Sequence, residues 1–169
     1  VIGTAVSVTL PFRIGFGYDV HRFAQGRELW LGGVLIPHTE GLLGHSDADV
    51  LLHAVCDALL GAVAMGDIGQ HFPDTDQAWK GADSKKLLAA VVKLLEKAGW
   101  QVGNVDCTLV MERPKIMPHA PQMRSVMASL LGVSDDAVSI KATTNEKLGY
   151  VGREEGACAH AVALVYRKG

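Results

Sequence analysis

The residues GLLGHSDADVLLHAVCDALLGA, positions 41–62, decide the architecture. From Asp47 to Met65 apolar side chains occupy most positions, so the pattern predicts a helix over 47–65. Ser46 stands three residues before Asp49, a capping-box-like start with Asp in the Glu position, and Gly66 closes the segment. Against that apolar background Asp49, His53 and Asp57 follow at four-residue steps and share one helical face. Polar groups on so apolar a helix cost free energy unless partners satisfy them.

Working outward, Phe12 to Phe23 reads as a strand, and Glu28–Leu31 and Val34–Ile36 flank Gly32-Gly33 as a hairpin. Residues 37–46 are turn-rich, with Pro37, Gly41 and Gly44, and predict a loop. Residues 66–83 carry Gly, Pro and several aspartates without periodicity and predict a long functional loop. A second helix runs from Ser84 to Ala98 and stops at Gly99. Trp100–Glu112 reads as a strand, Pro114, Pro118 and Pro121 punctuate a loop, and a third helix reaches Leu131 before Gly132. Val138–Thr143 and Ala157–Tyr166 supply the last strands. Two β-α-β connections imply an α+β fold: a single-domain sandwich of a mixed β-sheet with helices on one face, ferredoxin-like in flavour.

The 169 residues are 49% hydrophobic and 20% charged, with a net charge of −2. That balance fits one domain with a real core and excludes a disordered chain. The most apolar stretch, Val50 to Met65, is interrupted by His53 and Asp57 and falls short of the ~18 residues a membrane span needs. Near-zero net charge supplies no general field for nucleic acid. The expectation is therefore no membrane and no nucleic acid, with any bound phosphate held by a local site. Cys56, Cys107 and Cys158 are odd in number and far apart, which argues against a disulfide framework and for a reducing, cytoplasmic setting. Residues 1–11 carry no basic residue before Arg13 and do not read as a signal peptide. A plastid-type organelle is the alternative setting.

Four clusters could carry chemistry. Asp19 and His21 lie two apart on a strand and project to the same side. With His53 from the helix they make three N/O ligands with a fourth position open, the pattern of a catalytic zinc site. Asp49 or Asp57 would then orient a ligand imidazole. The bland alternative is a hydrogen-bonded core histidine. His45 and Ser46 precede the helix; Ser46 is either a simple cap or, with His45, a phosphate contact at the helix N-terminus. Gly66 to Gly69 and Phe72 to Asp76 are either a solvated turn or a loop whose backbone is fixed by Pro and Gly. Lys141 to Lys147, at a strand end, offers hydroxyls and lysines for a diphosphate and Glu146 for magnesium, or else ordinary β-forming threonines.

The strings RIGFGYDVHRF (13–23), GLLGHSDADVLLHAVCDALLGA (41–62), GDIGQHFPDTD (66–76), KGADS (80–84), RPKIMPH (113–119) and KATTNEKLGYVGREEG (141–156) occur in this order. In them the chain resembles the 2-C-methyl-D-erythritol 2,4-cyclodiphosphate synthase family. That resemblance implies a lyase of the non-mevalonate isoprenoid pathway that closes a cytidine diphosphate substrate into a cyclic diphosphate and releases CMP. It implies one zinc per subunit on Asp19, His21 and His53, and magnesium or manganese on Glu146 with the substrate diphosphate. His45 and Thr144 would stabilise the reacting phosphorus. Substrate would be held by Ser46, Asp67, Ile68, Gly69, Phe72, Pro73, Asp74, Thr75, Asp76, Tyr150 and Arg153. The cytidine side would use Met111, Glu112, Arg113, Pro114, Lys115, Ile116, Met117, Ala142, Thr143 and Asn145.

The resemblance further implies a homotrimer with inter-subunit active sites. Its three-fold cavity would admit an isoprenoid diphosphate near Arg153 and Glu155. Two departures stand out: Asn145 replaces a common third threonine, and Glu154 a common glycine. Residues 1–11 match no family motif and read as an extension of a catalytic domain over 12–169. A zinc hydrolase and a non-catalytic nucleotide or isoprenoid sensor are the rival readings, separable by product.

Overall fold

The computed structural model describes residues 10–73, 75 and 81–167. Five strands form one mixed sheet: β1 (Phe12–Gln25), β4 (Glu40–Leu42), β5 (Trp100–Val110), β6 (Val138–Thr143) and β7 (Gly156–Arg167), in the order β4-β1-β7-β5-β6. A separate hairpin pairs β2 (Leu29–Leu31) with β3 (Val34–Ile36) around Gly32-Gly33, as the turn residues predict. Three longer helices, α1 (Val50–Ala62), α3 (Ser84–Lys97) and α4 (Ala120–Leu131), cover the sheet. Two single turns, α2 (Ile68–His71) and α5 (Gly149–Gly152), complete the α-helices among the described residues. Of the expected extension, the described Leu10 and Pro11 run into β1, and Pro11 O accepts the Arg167 amide at 2.8 Å. Residues 1–9 lie outside the described residues.

Burial shows the one-sided layering. Along β1, Gly15 and Gly17 are buried while Ile14 and Phe16 beside them are 64% and 61% exposed. Along β7, Ala157, Ala159, Ala161, Ala163 and Val165 are buried under the helices, and Val162 and Tyr166 face outward. The helices therefore cover one face and leave the other open and apolar.

The contact between α1 and β1 is unusually close because both surfaces are bare. A Cβ at Gly17 would stand 2.7 Å from Ala58 N, and one at Gly15 2.6 Å from Ala62 N. Ala54, Ala58 and Ala62, four residues apart, present the matching ridge. No larger pair of surfaces would bring the helix so near the strand.

The ferredoxin-like expectation holds for the layers but not for the strand order. β5 and β6 are parallel neighbours joined through α4, whereas β7 lies antiparallel between β1 and β5. Only the first β-α-β unit is thus split by an inserted strand. Local periodicity reveals that a strand exists, not which edge it joins. The turn-rich 37–46 segment also hides β4, whose three residues pair with Phe23, Ala24 and Gln25 and bury Leu42; so short a strand has no period to read.

Helix α1 is shorter than its apolar run. Its N-cap is Asp49, whose side chain accepts the Leu52 amide, so Ser46 does not cap it. It ends at Ala62, before positive-φ turns at Ala64 and Gly66. The remaining punctuation matches expectation: α3 starts at Ser84, and Gly132 ends α4 with φ 69°. Among the described residues no helix is long and apolar enough to cross a membrane. All three cysteines are unpaired and buried. Burial pushes the Cys107 thiol up to about 12 and Cys56 well above its ordinary range, which leaves both unreactive.

Candidate active site

The close seating of α1 puts His53 opposite Asp19 and His21, which share the helix-facing side of β1 as the two-residue spacing requires. Asp19 Oδ2 lies 3.0 Å from His21 Nε2 and 3.0 Å from His53 Nδ1, and the two ring nitrogens are 3.4 Å apart. Among the described residues these three form the one His/Cys/Asp/Glu group able to hold a metal ion. Four ligands around zinc with bonds of ~2.0–2.1 Å stand about 3.3–3.4 Å from one another. The three observed separations already match one face of such a tetrahedron, and the donor set of two imidazoles and a carboxylate suits zinc.

The electrostatics follow from the same contacts. Burial raises the Asp19 carboxyl, but hydrogen bonds and charge from His21 and His53 outweigh it and hold Asp19 well below the usual carboxylate range. Burial lowers the His53 imidazole, yet Asp19 outweighs that and leaves it raised above its ordinary value.

The two aspartates flanking His53 on its helical face do not orient it. Asp49, fully buried, accepts the amides of Gly32, Gly33 and Leu52, and so ties the β2–β3 turn to the start of α1. Asp57 Oδ1 accepts the Ile68 amide at 2.8 Å and fixes the 66–72 segment. Four-residue spacing places these carboxylates on one face but cannot say what the next element presents to them. The Nε2 side of His53 meets Ser84 Oγ at 2.9 Å and Ser46 Oγ at 3.2 Å instead. Sequence reasoning missed Ser84 and Asp47 as parts of this site; the only signal was their place in the KGADS and GLLGHSDADVLLHAVCDALLGA strings.

A cavity of about 510 Å³ opens over the triad, lined by His45 and Ser46 on one side and Ile68, Gly69, Phe72 and Pro73 on another. The Arg27 guanidinium clasps the carbonyls of Leu42, Gly44 and Ser46 and so holds the His45-bearing loop. Asp67 caps α2 through the Gln70 amide. Thr75 is exposed, and Asp74 and Asp76 lie outside the described residues.

A second cavity of about 440 Å³ is lined by Met111, Glu112, Pro114, Lys115, Ile116, Met117, Ala142, Thr143 and Thr144. It shares no lining residue with the first. Glu112 does more than line it: Oε1 accepts the amides of Asn145 and Lys147 at 3.0 and 3.2 Å, and Oε2 meets Lys147 Nζ at 3.3 Å. Desolvation raises the Glu112 carboxyl, but those amides and the ammonium outweigh it and leave it low. The carboxylate thereby clamps a segment in which Glu146 and Lys147 have φ of 51° and 65°. In that segment Thr144 Oγ1 donates to Glu146 Oε1 at 3.0 Å, and Asn145 Nδ2 donates to Leu148 O at 2.7 Å.

Cross-strand register relates the two cavities. Val20, between Asp19 and His21, pairs with Cys158, Cys158 with Val110, and Val110 with Thr143. Three strand spacings of ~4.8 Å separate the triad from Thr143, about 14 Å along the same sheet edge. Arg113 is exposed and faces Glu154 at 3.4 Å. Tyr150 stands 3.3 Å from Tyr18 on the open sheet face, and Arg153 is doubly paired with Glu155 at 2.7 and 3.2 Å. Glu154 has φ 60°, a left-handed conformation that glycine adopts more readily than other residues.

The YgbB family model matches residues 12–166. The 2-C-methyl-D-erythritol 2,4-cyclodiphosphate synthase of Dechloromonas aromatica is 63% identical over 160 residues, which cover 95% of this chain and 100% of that protein. A solved IspF–CDP complex from Plasmodium falciparum superposes with a TM-score of 0.82 at 32% identity, covering 94% of this chain and 97% of that one. The bifunctional IspDF of Campylobacter jejuni gives a TM-score of 0.89 at 39% identity. This chain is 93% covered there but spans only 42% of that longer protein.

Proposed function

The chain belongs to the YgbB family, and from that membership and the geometry above we infer how it works. It converts 4-diphosphocytidyl-2-C-methyl-D-erythritol 2-phosphate to 2-C-methyl-D-erythritol 2,4-cyclodiphosphate and releases CMP, a lyase step of the non-mevalonate isoprenoid route. The observation that carries this reading at the site is the Asp19–His21–His53 triad at the floor of the first cavity, with separations of 3.0, 3.0 and 3.4 Å.

The chemistry asks for positioning rather than proton transfer. The attacking 2-phosphate, with a second pKa near ~6, is already largely ionised at neutral pH. It attacks the β-phosphorus, the bond from that phosphorus to the CMP oxygen breaks, and CMP leaves as a phosphate. Folding a flexible polyanion into line can supply up to ~7–11 kcal/mol of the barrier. Asp19, His21 and His53 would hold zinc, and Glu146 magnesium or manganese. When bound, those ions neutralise phosphate charge as Lewis acids. His45 and Thr144 donate to the crowded phosphorus oxygens, with Ser46 beside His45 as a further phosphate contact. Asp67 to Gly69 and Phe72 to Asp76 shape the methylerythritol end. The second cavity holds the cytidine. Tyr150 and Arg153 complete the substrate contacts.

A homotrimer with shared sites belongs to this proposal. What supports it is that the two cavities share no lining residue and that the uncovered sheet face carries Ile14, Phe16, Tyr18 and Val162. A contiguous apolar face of that kind marks an interface. An isoprenoid diphosphate in the three-fold cavity would meet Arg153 once its pairing with Glu155 opens. A cytoplasmic setting, read from the unpaired cysteines, completes the proposal.

Phosphorus NMR of the protein with substrate and magnesium tests the reaction. Two coupled diphosphate signals with stoichiometric CMP are expected. A linear bisphosphate would make it a hydrolase, and unchanged substrate with metal bound would make it a binding protein.

Mixing inactive Asp19→Asn chains with inactive Thr144→Ala chains should restore about a quarter of full activity in random mixed trimers, since both intact halves must meet at one interface. No recovery in verified mixed trimers would place the whole site in one subunit. Glu112→Ala should weaken CDP binding about tenfold in calorimetry, because hydrogen bonds to a charged group contribute ~1.5–3 kcal/mol and here hold the 145–147 segment. Glu112→Gln, which keeps one acceptor oxygen, should lose less.

A further inference from the structure

Ser84 and Asp47 form a chain of hydrogen bonds behind the triad that no part of the reaction accounts for. Ser84 is fully buried at the first position of α3. Its hydroxyl donates to Asp47 Oδ1, and its amide donates to Asp47 Oδ2 at 2.9 Å. The same hydroxyl oxygen lies 2.9 Å from His53 Nε2. Ser46 Oγ, which accepts the Ala48 amide at 3.1 Å, is the other group at that nitrogen, at 3.2 Å. On the opposite side of the ring Nδ1 faces Asp19 and His21.

Asp47 sets the polarity at the start of this chain. An ionised carboxylate only accepts, so both Ser84 protons, amide and hydroxyl, point at Asp47. The Ser84 oxygen then offers a lone pair to His53, which favours a proton on Nε2. On the other side Nδ1 faces Asp19 Oδ2 at 3.0 Å, where a metal ion would take the place of its proton.

We propose that Asp47 and Ser84 are positioning residues that fix His53 as the Nε2–H tautomer, so that Nδ1 is the metal-ligating atom. The proposal rests on the zinc reading of the triad. Groups behind a ligand imidazole commonly set its orientation and basicity, and their loss costs 10–100-fold in metal affinity. The relay also spans two elements. Asp47 N donates to Ala82 O and Gly81 N to His45 O, so the loop bearing His45 and the start of α3 are laced together around the metal ligand. Asp47→Asn is a sharp probe because it is nearly isosteric. Its amide turns one acceptor into a donor, so one of the two Ser84 protons loses its acceptor. With the amide nitrogen at Ser84 Oγ, the hydroxyl would be driven to donate to Nε2 and to favour the wrong tautomer.

The test uses the full chain loaded with zinc. Nitrogen-15 imidazole NMR of the unmutated protein should show His53 with the proton on Nε2 and zinc on Nδ1; the opposite assignment overturns the proposal without any variant. Zinc affinity, read by competition with a chromophoric chelator at fixed pH, should fall 10–100-fold in Asp47→Asn. It should fall about tenfold in Ser84→Ala, where Ser46 still faces Nε2. Retention of the unmutated affinity in both folded variants overturns it. An unmutated protein that binds no zinc would instead sink the metal reading itself.

Discussion

Replacing His53 by alanine should abolish metal binding and lower turnover by about a thousandfold or more, while the chain stays folded. His53 is the single ligand that the helical layer contributes; Asp19 and His21 alone offer two. The fold should survive because alanine is the strongest helix former and because the side-chain space is ringed by Ser46, Ser84, Asp19 and His21, groups that water can satisfy. Metal content after gel filtration, with circular dichroism melting alongside, checks both halves. Full metal occupancy with a cooperative melt would remove His53 from the ligand set.

Gly17→Ala should cost about 3 kcal/mol of stability, at the upper end of overpacking penalties, or about 6–12 °C in melting temperature for a chain of this size. The new methyl would meet backbone atoms of Ala54 and Ala58, which cannot rotate away as a side-chain tip would. Helix α1 must then lift from β1, and His53 lifts with it. Metal affinity should therefore drop although all three ligands remain. Gly61→Ala is the informative control. It is an exposed helical glycine whose added Cβ would have its nearest neighbour, Phe16 O, at 3.9 Å. Helix propensity predicts a gain of roughly 0.8–1 kcal/mol there. If both substitutions shifted the melt equally, close packing at Gly17 would not be what seats the helix.

Much of this site is legible in the order of the amino acids. Asp19 and His21 have to share a side of a strand, and His53 has to sit inside an apolar helix; those statements need only the two-residue and 3.6-residue periods. Gly32-Gly33, Gly99 and Gly132 mark turns because few other residues adopt positive φ. The family strings add which of these residues act together.

The roles of Asp49 and Asp57 are not legible there, because spacing gives a residue its face and not its partner. Both carboxylates serve backbone amides, those of the β2–β3 turn and of the 66–72 segment. Ser46 likewise has the spacing of a cap and lies instead against His53.

The longer strands and helices and the metal-ligand types are thus properties of the linear chain. Each is written in local backbone preference and side-chain period. Folding in three dimensions was needed to settle that β7 enters between β1 and β5, that Nδ1 of His53 faces Asp19, that Ser84 and Asp47 stand behind it, and that Glu112 clamps the 145–147 segment. These pairings join residues tens of positions apart. They are selected by which surfaces fit when the layers close, a long-range packing result that no local pattern encodes.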